Sequence, residues 1–251
     1  MLTQERYQMI LSLLNRRRAV TVAELTQELG ASEATVRRDL NTLREMGKLN
    51  KVHGGATALS ASFLTYDEDM AVKSVRNTEA KALLGQYAAT LIQDDDFVYI
   101  DAGTTTEHLV DALGESRATF VTNGFSHAQR LARKGLKSYI LGGQFKASTE
   151  AVVGAVASGN LRRYNFTKCF IGVNGISQEA GFTSPDAEEA MLKSEAVARS
   201  YMIYVLADRS KFDVVASVSF AELGKACIIT DTLPDESYRS FTVIREVSKK
   251  S

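Results

Sequence analysis

Between residues 96 and 231 the sequence makes the same move six times: a run of four to six apolar or aromatic residues stops at Gly, Asn or Asp. The runs are "DFVYIDAG", "ATFVTNG", "KSYILGG", "KCFIGVNG", "YMIYVLAD" and "ACIITD", with helical stretches such as "TTTEHLVDAL", "SHAQRLARKG" and "AEEAMLKSEAVARS" between them. The runs are continuous rather than alternating, so each strand must be covered on both faces. Strands of that kind separated by helices predict a layered α/β fold on a largely parallel sheet.

In such sheets ligands bind beyond the carboxyl ends of the strands, and that rule gathers the polar termini of the runs into one place. Asp101, Gly103, Thr104, Thr105 and Thr106 follow the first run, Thr122, Asn123 and Gly124 the second, and Gly142 and Gly143 the third. Asn174 and Gly175 follow the fourth, and Asp208, Ser210 and Lys211 the fifth. Glycines let backbone N–H groups come close to a ligand, and a turn into a helix aims free N–H groups and a positive dipole end at it. With three threonine hydroxyls and Lys211 as a fixed cation, the set predicts a pocket for an oxyanion, a phosphate above all. The competing account of "GTTTEH" is a capping box, since Thr104 and Glu107 have the T-x-x-E spacing, but that explains one threonine and not three. His108 and His127 lie in helical stretches without a second ligand at metal spacing, so neither a metal site nor a cofactor is expected.

The first 58 residues read differently. They hold nine Lys/Arg against six Asp/Glu, while the whole chain has 30 of each, so a mildly basic head precedes a mildly acidic body. Tyr7, Ile10, Leu11 and Leu14 mark a first helix with Thr3 as its N-cap; Val22, Leu25 and Leu29 mark a second, opened by a Thr21–Glu24 capping box and ended by Gly30. Ser32 opens a third, which buries Val36, Leu40 and Leu43, shows Thr35, Arg37, Arg38, Asn41 and Arg44 on its other face, and stops at Gly47. "GKLNKVHGGA" then predicts a basic ribbon with Leu49 and Val52 inward and Lys48, Lys51 and His53 outward. A helix, a short turn and a second helix with hydroxyls and arginines early on its open face suit readout of the DNA major groove.

"ASEATVRRDLNTLREMGKLNKVHGGA" is similar to the signature of the DeoR family of bacterial transcription regulators. The resemblance implies a winged helix-turn-helix whose recognition helix is Glu33 to Met46, with Ser32, Thr35, Arg37 and Arg38 at the DNA and Lys51, His53 and Gly54 as the wing contact. Asp39, repelled by phosphate, is expected to pair with an arginine. "DAGTTT", "VTNG", "LGG", "FIGVNGI", "GFTSPDAEEAMLK", "LADRSKF" and "IITD" resemble the sensor domain of the same family, which implies a fold like those of ribose-5-phosphate isomerase and glucosamine-6-phosphate deaminase. Within the family, "LTQERYQMIL", "GVNGI" and "GFTSPDAEEAMLK" look closest to fructose-operon repressors of Gram-positive bacteria, which implies fructose 1-phosphate as effector. Lys146 stands where the family more often has arginine.

The expected organisation is a DNA-binding head over residues 1–57, a linker over 58–75 and a sensor over 76–251. The expected partners are double-stranded operator DNA, read by a homodimer or homotetramer, and a phosphorylated sugar; no membrane partner is expected. The alternative is an isomerase or deaminase carrying a DNA-binding head, for which Asp101, Asp208, Glu188 and Glu189 offer carboxylates for proton transfer. A nucleotide binder is disfavoured, because neither G-x-G-x-x-G nor G-x-x-x-x-G-K-[ST] occurs. Cys169 and Cys227 sit in apolar runs, as reduced core thiols do, and the start "MLTQERYQMI" lacks a basic-then-apolar signal, so a cytoplasmic protein is expected.

Overall fold

The computed structural model describes residues 2–17, 19–58 and 62–248, and the chain divides into two units, 1–61 and 62–251. In the first unit α1 (Thr3–Arg17), β1 (Ala19–Thr21), α2 (Val22–Leu29), α3 (Glu33–Glu45), β2 (Leu49–Val52) and β3 (Gly55–Ala58) follow one another. Ile10, Leu14, Leu25, Val36, Leu40, Leu43 and Leu49 close its core. Local chemistry sets the boundaries of α2: the Thr21 hydroxyl accepts from the Glu24 N–H, the Glu24 carboxylate accepts from the Thr21 N–H at 2.7 Å, and Gly30 ends the helix in the left-handed region. Thr3, expected as an N-cap, is itself the first residue of α1; the Leu2 N–H goes instead to the Glu5 carboxylate at 2.8 Å.

β1, β3 and β2 form an antiparallel sheet in that order. One sequence expectation fails here. Leu49 is buried, but Val52 is 47% exposed, because residues three apart on a strand point to opposite faces. Lys51 shares the Leu49 face, and its ammonium donates to Asn41 Oδ1 at 2.7 Å.

The second unit begins with β4 (Ser62–Leu64), α4 (Met70–Ser74) and α5 (Thr78–Ala89). The stretch 58–75, expected as a linker, therefore carries structure: β4 pairs in parallel with a later strand of this unit, and residues 59–61 lie outside the described residues. Then come β5 (Phe97–Ile100), α6 (Thr104–Ala112), β6 (Thr119–Thr122), α7 (Phe125–Arg133), β7 (Ser138–Ile140), β8 (Gln144–Lys146), β9 (Ala151–Val153) and α8 (Gly154–Leu161). The rest comprises β10 (Phe166–Gly172), β11 (Gly175–Ser177), β12 (Gly181–Ser184), α9 (Ala187–Ala198), β13 (Ser200–Leu206), β14 (Val214–Ala216), β15 (Val218–Ala221), β16 (Cys227–Thr230) and β17 (Ile244–Glu246).

Seven of these strands form one parallel sheet in the order β17-β16-β13-β10-β5-β6-β7. Tyr99, Val121, Cys169, Ile171, Val205 and Ile228 pack on one face; Val98, Ile100, Phe120, Phe170, Leu206 and Ile229 pack on the other. Burial on both faces is what the continuous apolar runs require. Against the second face α5 and α6 cross at Gly85, where an added Cβ would lie 2.5 Å from the His108 carbonyl carbon. The chain runs outward from β5 through β6 to β7 and resumes with β10 on the other side of β5. The sheet's reversal of order thus falls between β5 and β10, where crevices open in such sheets.

Candidate functional site

The first unit presents the open face of α3. Ser32 caps the helix by accepting the Thr35 N–H at 3.3 Å, and the two hydroxyls lie 2.9 Å apart. Arg37, Arg38 and Arg44 are exposed along this face, with Arg37 3.4 Å from Glu33. Asp39 is on the other side, buried, and accepts from Arg6 Nε at 2.7 Å and Nη2 at 3.2 Å. This ion pair joins α1 to α3 and answers the expectation that Asp39 pairs with an arginine. His53 and Gly54 form the exposed turn between β2 and β3, where Gly54 has φ +82°, while Lys51 is held back on Asn41.

The second unit has a cavity at the β5/β10 reversal. Gly103, Thr104 and Thr105 from the β5–α6 turn line it, as do Gly172, Val173 and Asn174 after β10, and Asp208, Ser210 and Lys211 after β13. Its remaining wall comes from the segment before α5, including Asp67, Lys73 and Asn77, from Lys81 on α5, and from Glu189 and Lys193 on α9. Gly103 is the N-cap of α6 and makes no side-chain cap, so the capping-box account of "GTTTEH" does not hold. Glu107 pairs with Arg130 at 2.9 Å instead. Thr104 and Thr105 open the helix toward the cavity with amides that no carbonyl four residues earlier can satisfy.

Cations in this wall fall into two kinds. Lys193 is ion-paired with Asp101, both side chains being at most 5% exposed, and Lys73 with Asp67. Burial works against the Lys193 ammonium, but the carboxylates of Asp101, Glu189 and Asp67 outweigh it and raise its pKa. Lys81 and Lys211 make no ion pair among the described residues; Lys81 donates to the Lys73 carbonyl at 2.5 Å. Burial, then the charge of Lys211, lowers the pKa of Lys81 to about 8, and burial also lowers that of Lys211, reinforced by Lys73 against the opposing pull of Asp208. Two repelling ammonium groups beside a helix start suit an anion.

Seven of the residues expected at the ligand line this cavity: Gly103, Thr104, Thr105, Asn174, Asp208, Ser210 and Lys211. The other eight serve elsewhere. Asp101 holds Lys193 and accepts the Gly172 N–H at 3.3 Å, so it positions a cation rather than facing the cavity. The Thr106 hydroxyl donates to the Asp101 carbonyl at 2.7 Å and lies 3.0 Å from Nε2 of His127, whose pKa burial lowers to about 3. The Thr122 hydroxyl accepts the Gly124 N–H at 3.0 Å, and Asn123 Oδ1 accepts from Tyr99 and Ala102 at 3.0 and 2.8 Å. β6 and β7 lie on the outward side of β5, away from the reversal, which is why their termini brace the turn instead of lining it.

Gly142 donates to Asn160 at 3.1 Å, and a Cβ on Gly143 would come within 2.7 Å of the Val153 carbonyl. Gly175 belongs to β11, where a Cβ would meet the Val214 carbonyl at 2.5 Å. Lys146 bridges Asp186 and Glu189 at 2.8 and 2.9 Å and does not line the cavity. Asp67, Lys73, Lys81 and Lys193 went unforeseen, since none sits at a strand terminus, and Glu189 was weighed only as a carboxylate for proton transfer. Among the described residues no His, Cys, Asp and Glu cluster could hold a metal ion, and no helix is long and apolar enough to cross a membrane.

Residues 6–62 match the model of the DeoR-like helix-turn-helix domain, and residues 76–232 that of the DeoR C terminal sensor domain. The HTH-type transcriptional regulator FruR of Bacillus subtilis (strain 168) is 41% identical over 251 residues, 98% of this chain and 99% of the relative. A lactose phosphotransferase system repressor of Staphylococcus aureus (strain NCTC 8325 / PS 47) is 31% identical over 235 residues, 92% and 93% of the two chains. Among solved structures, ribose 5-phosphate isomerase A from Methanocaldococcus jannaschii aligns over 54% of this chain and 55% of its own, with a TM-score of 0.41 and 14% identity.

Proposed function

Since this chain belongs to the DeoR family of transcriptional regulators, we propose that it represses a sugar-utilisation operon and leaves its operator when a phosphorylated sugar fills the cavity of the second unit. The observation that carries the reading is the pair of ammonium groups that make no ion pair among the described residues, buried Lys81 and half-buried Lys211, on the same cavity as the start of α6. A phosphate dianion matches their charge and accepts from the free amides and the hydroxyls of Thr104 and Thr105. Asn174, Asp208 and Glu189 on the same wall suit sugar hydroxyls. The stretches that resemble fructose-operon repressors make fructose 1-phosphate the effector of choice. No catalytic role is assigned: of the carboxylates weighed for proton transfer, Asp101 is tied to Lys193 and Glu189 to Lys146 and Thr149.

On the DNA side, Ser32, Thr35, Arg37 and Arg38 read bases or phosphates in the major groove, with His53 and Gly54 at the wing and Lys51 nearby. One short helix buries too little surface for operator affinity, so a homodimer or homotetramer reads two half-sites. Arg38→Ala is expected to cost roughly 1–3 kcal/mol of operator binding if the guanidinium reads a guanine. Gel-shift titrations in which Arg37→Ala and Arg38→Ala both bind like the parent would remove this face from the interface.

The effector is tested by thermal shift against fructose 1-phosphate, fructose 6-phosphate, ribose 5-phosphate, glucosamine 6-phosphate and free fructose. A ligand held only by the native state adds about 2.7 kcal/mol at a hundredfold excess over Kd. Free fructose stabilising as well as its phosphate, or turnover of any of these sugars, overturns the proposal.

A further inference from the structure

Residues 62–77 supply Asp67, Lys73 and Asn77 to the cavity wall, yet little apolar packing holds them. α4 buries none of its residues, and Phe63, Tyr66 and Val75 are exposed. The attachment is polar. Lys73 pairs with Asp67, and Asn174 Nδ2 donates to Asp67 Oδ1 at 2.7 Å. The Met70 N–H donates to the Ser148 carbonyl at 3.0 Å, and Asn77 Nδ2 donates to Asp208 Oδ1 at 2.9 Å. Segments held this way open before the rest of a domain does.

Asp67 has one more feature. Its side chain is 8% exposed, and its second oxygen, Oδ2, is buried with no hydrogen-bond partner among the described residues. A buried carboxylate oxygen without a donor calls for one, and Asp67 lines the cavity, so a hydroxyl of a molecule held there can supply it. The backbone links the same segment to Lys211. β14 begins three residues after Lys211 and pairs in parallel with β4, which ends three residues before Asp67. In this ribbon β14 runs from a cavity residue and β4 runs into one, and the start of β4 leads back in sequence to β3 of the first unit.

We infer that residues 62–77 are a ligand-reading strap: a sugar hydroxyl donates to Asp67 Oδ2 while the phosphate engages Lys211, and occupancy passes through the β4–β14 ribbon to the chain that carries the head. The inference rests on the sugar-phosphate reading of the cavity. Hydrogen exchange on the full-length protein separates the two. Saturating fructose 1-phosphate is expected to slow the amides of residues 62–77 at least tenfold, together with those of the turn at Gly103–Glu107. Slowing at the turn alone overturns the strap and leaves the cavity reading intact.

A ligand-free measurement decides the strap even if fructose 1-phosphate protects neither segment, the result that sinks that effector. Phe63→Pro removes a backbone donor from β4 at an exposed position. A freed ribbon lengthens the tether to the head and dilutes the second head near its half-site. Affinity for a DNA fragment that the parent selects from a random pool is expected to fall at least fivefold; unchanged affinity overturns the coupling. Should that variant fail to fold, Asn77→Gly decides by the same measure, because it keeps the φ of +51° and removes the bond to Asp208.

Discussion

Asp101→Ala is expected to destabilise the second unit by about 3–5 kcal/mol, because it strands the Lys193 ammonium in the core without its partner. At about 2–4 °C per kcal/mol for a unit of this size, its melting transition falls by roughly 6–20 °C. The loss comes from the unpaired charge rather than from the pair's own worth. Asp101→Leu combined with Lys193→Met, which replaces both charges by apolar groups, is therefore expected to recover most of the stability while losing the cation from the cavity. Calorimetry on the full-length variants checks this. A single variant melting within a degree or two of the parent means that Asp101 and Lys193 are not the buried pair described.

Lys211→Ala is expected to leave folding and operator binding near the parent's level and to abolish release by the effector, a response typically worth about 5- to 150-fold in operator affinity. The neighbouring Lys81 gives the response a pH signature. Its folded pKa of about 8 lies below the usual lysine value of 10.5, so between those pH values the unfolded chain holds a proton that the folded one has released. Stability of the unliganded protein therefore gains from this group as pH rises through that window. Binding of the phosphate runs the other way: the dianion favours charged Lys81, so complex formation takes up a proton and affinity falls as pH climbs above about 8. Titration calorimetry in buffers of different ionisation heat reads the uptake directly. A proton count of zero at pH 8.5 in the parent removes Lys81 from the anion site.

Much of this site was legible because parallel sheets obey a positional rule. The turns after β5, β10 and β13 could be read as ligand-facing from "DAGTTT", "GVNG" and "LADRSK". The rule names every strand terminus, but only those beside the reversal of strand order make a crevice, and that order is not written in any single run. Thr122, Asn123, Gly142 and Gly143 were gathered on this ground, and they follow strands on the far side of β5. Lys81 and Lys193 were hidden for a different reason. Each sits in a helix among apolar neighbours, where a lysine reads as a solvated side chain until the fold shows it to be buried. Asp67 and Lys73 were lost to the linker, because "LSASFLTYDEDMAVKSV" opens on small residues and its three-residue strand leaves no period to detect. The head was nearly transparent by contrast, since its helices carry their own caps and a dense apolar spacing. Val52 was misplaced only where a strand was given a spacing of three.

The head's core closes within residues 7–58, whereas the cavity needs Lys211. During synthesis at about 5–20 residues per second, the groups proposed to face DNA are finished roughly 8–30 s before the last cation of the cavity leaves the ribosome. Every new copy thus passes through an age at which the face proposed to read DNA exists and the cavity proposed to hear sugar does not.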